Sequence, residues 1–193
     1  VLSTGVALFL EIYAEKIFPF SLQSNIIGIL FRSFIIISFC EELVKWLFTY
    51  VICWKDKNFN YVYDAIVYCV FISLGFASIE NLIAILSNSG GFTLALQRGL
   101  ITVPAHAFFG IISGYYLGLA KKYEARRWNK RKRKYIILSL LIPIIVHGMF
   151  DSLLFLSSTA SLLFATALIV YLYLSSALKV VKTSSEAKKI TRR

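Results

Sequence analysis

Acidic, amide, basic and imidazole side chains interrupt the apolar segments of this chain at a few positions. They are Glu41, Glu42, Lys45, Glu80, Asn81, His106, His147 and Asp151. A charged side chain in hydrocarbon is costly, about 2.5–3.5 kcal/mol for Asp, Lys or Arg at the centre of a membrane helix. Such residues need a partner, a water-filled cavity or a chemical task. Carboxylates and imidazoles together can activate water for hydrolysis, relay protons or bind a divalent metal ion.

Two pairs of these residues are separated by one helical turn. Glu41 and Lys45 share a helix face, and so do His147 and Asp151. Lys45 can offset the charge of Glu41, and Asp151 can accept a ring N–H and orient the imidazole of His147. Glu41 and Glu42 lie about 100° apart around a helix and cannot share one face. We therefore expect one glutamate to act in the chemistry and the other to support it.

Six apolar segments carry these residues and surround them. The segments are 1–19, 24–53, 61–87, 93–120, 135–156 and 160–178. About 20 apolar residues suffice to cross a bilayer. Of the 193 residues, 58% are hydrophobic and 16% are charged, whereas about 25% of a soluble domain is charged. We predict an all-α fold: one polytopic membrane helix bundle over 1–193, with about six transmembrane segments and a central polar site.

Most basic residues lie beside the apolar segments. The stretches 55–60, 121–134 and 179–193 hold 17 of the 21 Lys and Arg residues. With alternating spans all three fall on one side, which the positive-inside rule makes cytoplasmic. The N-terminus is then cytoplasmic as well, and we expect a further segment ahead of Val1. The net charge of +11 thus indicates contact with the lipid bilayer, and we expect no nucleic-acid partner.

The segment around His106 also carries helix-packing signals. Gly110, Gly114 and Gly118 recur every four residues, a pattern that lets another helix approach closely. Pro104 is expected to kink the helix just before His106. Because Gly110 lies one turn after His106, we expect an open face there. We expect a cavity between the two histidine-bearing helices that opens toward the outer half of the membrane.

Four short motifs resemble those of one protease family. EELVK (41–45), FASIEN (76–81), HAFFG (106–110) and HGMFD (147–151) look like the motifs EExxK, FxxxEN, HxxxG and HxxxD of PrsW-type intramembrane proteases. Each motif alone is weak, but four in order are specific, and the resemblance covers about residues 30–157. PrsW proteins resemble the wider superfamily of CAAX prenyl proteases and bacteriocin-processing enzymes. In that superfamily histidine usually stands where this chain has Glu80, so the prenyl-protease mechanism does not transfer directly.

This resemblance implies a bacterial, multi-pass protease of the cell membrane. Its substrate would be a single-span membrane protein such as an anti-sigma factor, cut on the extracytoplasmic side. We expect Glu41 or Glu42, with Glu80, to activate water without a required cofactor. His106 and His147 would stabilise the oxyanion or transfer protons. Residues expected to support them are Lys45, Phe76, Asn81, Gly110 and Asp151.

Other interpretations of the same residues remain open. A Zn²⁺ ion held by Glu80, His106 and His147 is the second protease chemistry, although the chain has no HExxH motif. A proton-coupled transporter or channel uses the same residue types, but the sequence has no inverted repeat typical of transporters. A purely structural scaffold leaves the costly polar residues on four helices unexplained.

Overall fold

The protein is a bundle of α-helices in a computed structural model that describes residues 2–87, 90–185 and 190. No β-strand occurs in these residues, and the predicted all-α bundle is confirmed. The helices are α1 (Leu2–Ile17), α2 (Ile26–Phe31), α3 (Phe39–Cys53), α4 (Val62–Ser87), α5 (Gly91–Gln97), α6 (Val103–Ala125), α7 (Asn129–Leu156) and α8 (Thr159–Ser185).

Two of the helices are joined to their successors without a break. The π-helical segment Arg32–Ser38 connects α2 to α3, and the π-helical segment Arg98–Thr102 connects α5 to α6. The described residues therefore form six continuous helical rods, which correspond to the six predicted apolar segments. Both π-helical segments end shortly before site residues, Glu41 in one rod and His106 in the other. Such segments often occur at functional sites.

Four of the rods are long and apolar enough to cross a membrane: Val62–Ser87, Gly91–Ala125, Asn129–Leu156 and Thr159–Ser185. The remaining two rods, α1 and the rod over 26–53, do not meet this description, and about six transmembrane segments were predicted. The α1 helix has 16 residues, fewer than the about 20 that a span needs. The rod over 26–53 carries four charged residues. In the tail 179–193, residues 186–189 and 191–193 lie outside the described residues, as do 88 and 89 in the turn 87–92.

The glycine ladder of α6 packs directly against α4. A Cβ atom added to Gly114 would lie 2.5 Å from the carbonyl oxygen of Ala65. The corresponding distance at Gly118 is 2.5 Å, to the carbonyl oxygen of Val62. At Gly110 it is 3.0 Å, to the carbonyl oxygen of Cys69 on α4. The predicted close approach is confirmed, and the expected open face beside Gly110 is wrong because α4 covers it.

Polar side chains of α3 and α6 bind Ser139 of α7, whose carbonyl group lacks its helical partner because of Pro143. Pro143 has no N–H, so the carbonyl oxygen of Ser139 cannot form the usual helical bond to it. The Ser113 hydroxyl of α6 donates to that oxygen at 2.8 Å. The Trp46 indole of α3 donates to the Ser139 hydroxyl at 2.8 Å. The three helices are therefore fixed to one another about two turns from His147.

Candidate active site

The predicted site residues meet in the interior of the bundle. Exposed fractions are 4% for Glu41, 3% for Glu42, 3% for Lys45, 2% for His106 and 3% for His147. These residues come from α3, α6 and α7, and Glu80 of α4 contacts them from the side. The expectation that four helices bring their polar groups together is confirmed. The roles assigned to the individual residues stay predictions.

Lys45 is the centre of the hydrogen-bond network. Its ammonium lies 2.5 Å from Glu42 Oε1 and 3.2 Å from Glu41 Oε2. It also lies 3.2 Å from His106 Nδ1. Since lysine only donates, Nδ1 accepts here and the ring proton of His106 is on Nε2. The ammonium also stands 4.6 Å from the centre of the Phe76 ring, an arrangement that favours a cation–π interaction.

Glu41 and Glu42 are both buried and both contact Lys45. Adjacent residues of a helix lie about 100° apart. Lys45 follows them by four and by three residues, so it lies between the two on the surface of α3 and reaches both. What distinguishes them is Glu42's second contact, with His147 Nδ1 at 2.9 Å.

Arg98 connects the glutamate of α4 to the site and was not predicted. Its Nη2 forms an ion pair with Glu80 Oε1, and its Nε donates to Asn81 Oδ1 at 2.7 Å. Asn81 thus accepts a hydrogen bond from Arg98 through its amide oxygen. The other carboxylate oxygen of Glu80 accepts from His106 Nε2 at 3.0 Å. The only sequence signal for Arg98 is its position as one of four cationic residues outside the basic stretches.

His147 lies between two carboxylates. Its Nδ1 is 2.9 Å from Glu42 Oε1 and its Nε2 is 3.3 Å from Asp151 Oδ2, so the predicted contact with Asp151 is present. A neutral imidazole donates to only one of these oxygens, whereas an imidazolium donates to both. The ring stacks on Phe109 at 4.7 Å and lies 5.3 Å from the His106 ring, measured between centroids.

Gly148 lets the first π-helical segment approach His147. A Cβ atom added to Gly148 would lie 2.5 Å from Cδ1 of Phe34, which belongs to Arg32–Ser38. The aromatic ring thus covers the residue next to His147, and a larger residue at 148 would displace it. The sequence contained no signal for this contact beyond the glycine of the fourth motif.

Comparison with known proteins connects this geometry to one family. A family model described as PrsW family intramembrane metalloprotease matches residues 1–178, which include all four motifs. The chain belongs to the PrsW protease family. The resemblance in the four motifs is thereby confirmed.

Curated PrsW proteins are similar to the chain along much of its length. Protease PrsW of Halalkalibacterium halodurans is 42% identical over 129 residues, which are 67% of this chain and 57% of that protein. Protease PrsW of Clostridioides difficile is 33% identical over 164 residues, 84% of this chain and 68% of that protein. Protease PrsW of Bacillus subtilis is 37% identical over 127 residues, which are 66% of this chain and 56% of that protein. The matches span roughly half to two thirds of these relatives, and no solved structure matches.

The description of PrsW proteins as metalloproteases raises the question of whether these residues fit a metal ion. Glu41, His106 and His147 each offer a ligand atom, and these atoms lie within 4.8 Å of one another. Two imidazoles and one carboxylate form a donor set typical of catalytic zinc. Carboxylates on the remaining ring nitrogens, here Glu80 and Asp151 or Glu42, are the usual partners of metal-bound histidines. The donor types therefore fit.

The glutamate of this donor set differs from the one expected. We expected Glu80 to join the histidines, but the structure groups Glu41 with them and pairs Glu80 with Arg98. Lys45 contacts both Glu41 and His106 Nδ1. Metal binding through these atoms would require the ammonium to move aside.

Proposed function

We propose that this chain forms the catalytic core of an intramembrane endopeptidase that cleaves a single-span membrane protein. The observation that carries the proposal is the buried cluster of Glu41, His106 and His147, in which one ligand atom from each residue lies within 4.8 Å of the other two. Membership of the PrsW family supports the same activity. The four long apolar rods support a multi-pass location in the cell membrane.

The favoured chemistry is activation of water by Glu41. Glu42 is held by Lys45 and His147 at 2.5 and 2.9 Å, whereas the contact of Glu41 with Lys45 is 3.2 Å. Glu41 is thus the carboxylate with the longer contact to Lys45, and its ligand atom lies within 4.8 Å of both histidines. It would remove a proton from water as the water oxygen attacks the substrate carbonyl carbon.

The neighbouring groups would complete the hydrolysis. Lys45 and the His147 ring would donate hydrogen bonds to the oxyanion that forms when the carbonyl is attacked, each in exchange for one of its present contacts. When the C–N bond breaks, the proton taken up by Glu41 would pass to the leaving amine. The Glu80 carboxylate would hold the His106 ring by accepting a hydrogen bond from Nε2 of that ring.

A metal-dependent version is the second candidate, and the same cluster favours it. Glu41, His106 and His147 would hold a divalent ion such as Zn²⁺. The ion would supply an acidic bound water and polarise the substrate carbonyl. Glu80 and Asp151 would then orient the two imidazoles from their remaining nitrogens.

The depth of Glu80 and His147 supports a cut in the outer half of the membrane. Glu80 lies seven residues before the end of α4 at Ser87, about 10 Å along the helix. His147 lies nine residues before the end of α7 at Leu156, about 14 Å. Both ends are opposite the basic loop 121–134. An anti-sigma factor cut on its extracytoplasmic side is the substrate class that the PrsW resemblance favours.

Reconstitution into liposomes tests the activity. A single-span reporter is added, cleavage products are mapped by mass spectrometry, and proton flux is followed in the same vesicles. We expect cleavage by the wild type, none by Glu41→Gln, and no flux. Flux without cleavage would instead support a proton-coupled transporter. Metal analysis, with activity measured before and after chelation and metal return, separates the two protease chemistries.

A further inference from the structure

The buried face of α1 carries a glutamate that none of the four motifs includes. Ser3, Thr4 and Ala7 are buried on this face, and Glu11 lies one turn after Ala7 on the same side. Ala7 packs against Val44 of α3 and Phe76 of α4. The face that carries Glu11 is therefore directed at the two helices that carry Glu41 and Glu80.

The residues that Ala7 contacts connect this face of α1 to the candidate site. Val44 lies three residues after Glu41, and Phe76 lies four residues before Glu80. The Phe76 ring also faces the Lys45 ammonium at 4.6 Å. This packing places Glu11 at the α1 side of the cluster.

Glu11 differs from the other carboxylates of the site in its hydrogen bonding. Its Oε1 atom is buried and has no hydrogen-bond partner among the described residues. The other carboxylates contact protein cations or imidazoles: Glu41 and Glu42 contact Lys45, Glu80 contacts Arg98, and Asp151 contacts His147. A buried acceptor without a donor costs about 1–3 kcal/mol, more when charged. Such a cost is offset when a ligand supplies the donor.

An intramembrane substrate supplies donors of the required kind. A peptide bond in a helix is shielded, so the substrate must unwind at the cut site, and unwinding frees main-chain N–H groups. Those groups are expensive to leave unpaired in an apolar interior. We propose that Glu11 is a substrate-binding residue whose buried Oε1 accepts main-chain N–H groups of the unwound substrate segment beside Glu41. This inference rests on the proposed function and adds α1 to the substrate site.

Binding measured without cleavage tests the inference. The probe is a labelled single-span peptide of Leu and Ala with a Gly-Ser pair in its outer half. It is titrated in nanodiscs against the Glu41→Gln protein, which should bind but not cleave. Adding Glu11→Ala should weaken binding about 10- to 100-fold, the loss expected when a buried main-chain donor is left without its acceptor. Adding Glu11→Gln, which keeps a side-chain carbonyl oxygen, should restore most of the affinity.

A glutamate one turn further along α1 gives a matched control. Glu15 accepts a hydrogen bond from Arg32 at 2.9 Å, and both side chains are partly exposed. Glu15→Ala should leave probe binding unchanged. The unfolding midpoint of the Glu11→Ala protein should not fall, since the substitution removes an unpartnered buried acceptor rather than a bond. With wild-type Glu41, Glu11→Ala should raise KM more than it lowers kcat.

The outcomes separate this inference from the proposed function. Cleavage by the wild type with unchanged Kd and KM in Glu11→Ala would overturn the role of Glu11 and leave the protease activity standing. Glu11-dependent binding without cleavage by the wild type would overturn the activity and leave the binding role standing. A Glu41→Gln protein that does not bind the probe would also overturn the inference.

Discussion

At the residue scale, the two adjacent glutamates differ in what holds them. Glu42 lies between Lys45 at 2.5 Å and His147 at 2.9 Å, and it fixes both groups in the interior. Glu41 has the longer contact with Lys45, at 3.2 Å, and shares a three-residue cluster with both histidines. Removing one partner of a buried ion pair costs about 3–5 kcal/mol because the other charge stays buried. We therefore expect Glu42 to contribute mainly to stability and Glu41 to the chemistry.

Glutamine substitution of each residue tests this division. Glu41→Gln should lower cleavage by at least about 100-fold, the range of a lost general base, while the unfolding midpoint in detergent changes little. Glu42→Gln should lower the midpoint as well as cleavage, because Lys45 loses its closest carboxylate. Cleavage of a reporter and thermal unfolding are measured on the same preparations, with Glu15→Gln as the control. Near-wild-type cleavage by folded Glu41→Gln would refute the assignment.

Arg98 is expected to act through Glu80. Its guanidinium holds one carboxylate oxygen of Glu80 while the other accepts from His106. Arg98→Gln should therefore lower kcat about 10- to 100-fold, the effect typical of residues that orient catalytic groups. Arg98→Lys should recover part of the loss, because it keeps the charge but not the forked geometry. The measurement is kcat and KM across pH.

Arg32 supplies the control for this experiment. It also begins a π-helical segment, but it pairs with Glu15 away from the histidines. Arg32→Gln should leave kcat close to that of the wild type. If Arg98→Gln and Arg32→Gln had the same kinetics, the proposed effect on His106 would be contradicted.

Contacts within one helix are easier to predict from the sequence than contacts between helices. The Glu41–Lys45 and His147–Asp151 contacts follow from one-turn spacing within a helix, and both are present. The partners of Arg98 are 17 and 18 residues away on another helix. Helical periodicity contains no information about the rotation of one helix relative to another. Contacts of the second kind therefore required the folded structure.

At the element scale, α4 and α6 form the close-packed pair that positions Glu80 beside His106. Gly114 is decisive, because an added Cβ would meet Ala65 O and Ile66 Cα, both at 2.5 Å. Those atoms belong to the backbone of α4 and cannot rotate away. The pair can accept even a methyl group only if the two helices separate, which would also separate Glu80 from His106.

Alanine at Gly114 should therefore destabilise the bundle. We expect a loss of about 1–3 kcal/mol, the range for overpacking a filled interior, together with reduced cleavage. Gly75→Ala in α4 is the matched control, since an added Cβ there meets nothing within 4 Å. It should leave the unfolding midpoint unchanged or raise it, because alanine favours helices over glycine. Equal midpoints for the two variants would contradict the packing argument.

Apolar patterning predicts some helix ends better than others. The segment predicted at 61–87 is close to the observed Val62–Ser87, because turn residues border it on both sides. The segment predicted at 135–156 begins earlier, at Asn129, since the helix continues through the basic run before it. Apolar residues mark the part of a helix that lipid or core surrounds, whereas the hydrogen-bonded helix extends into water. The π-helical segments carry no periodic signal and were not predicted.

At the scale of the whole molecule, the basic loops and the candidate site residues lie toward opposite ends of the bundle. The basic loop 121–134 joins the ends of α6 and α7, and the stretch 55–60 joins α3 to α4 at the same end. Glu80 and His147 lie nearer the other ends of their helices. Under the positive-inside rule we expect the basic end to be cytoplasmic. The proposed protease would then act on the outer half of a substrate span.

Labelling of single cysteines should confirm this orientation. The native thiols of Cys40, Cys53 and Cys69 are buried and unpaired, so they can first be replaced by alanine. A membrane-impermeant maleimide should then label Asn58→Cys and Lys130→Cys in inverted vesicles, which expose the cytoplasmic face, and not in intact cells. Ser158→Cys, in the turn between α7 and α8, should react only from outside. All three positions are exposed, so a missing signal reports the side of the membrane rather than burial. Opposite sides for positions 58 and 130 would contradict both the topology and the outer location of the site.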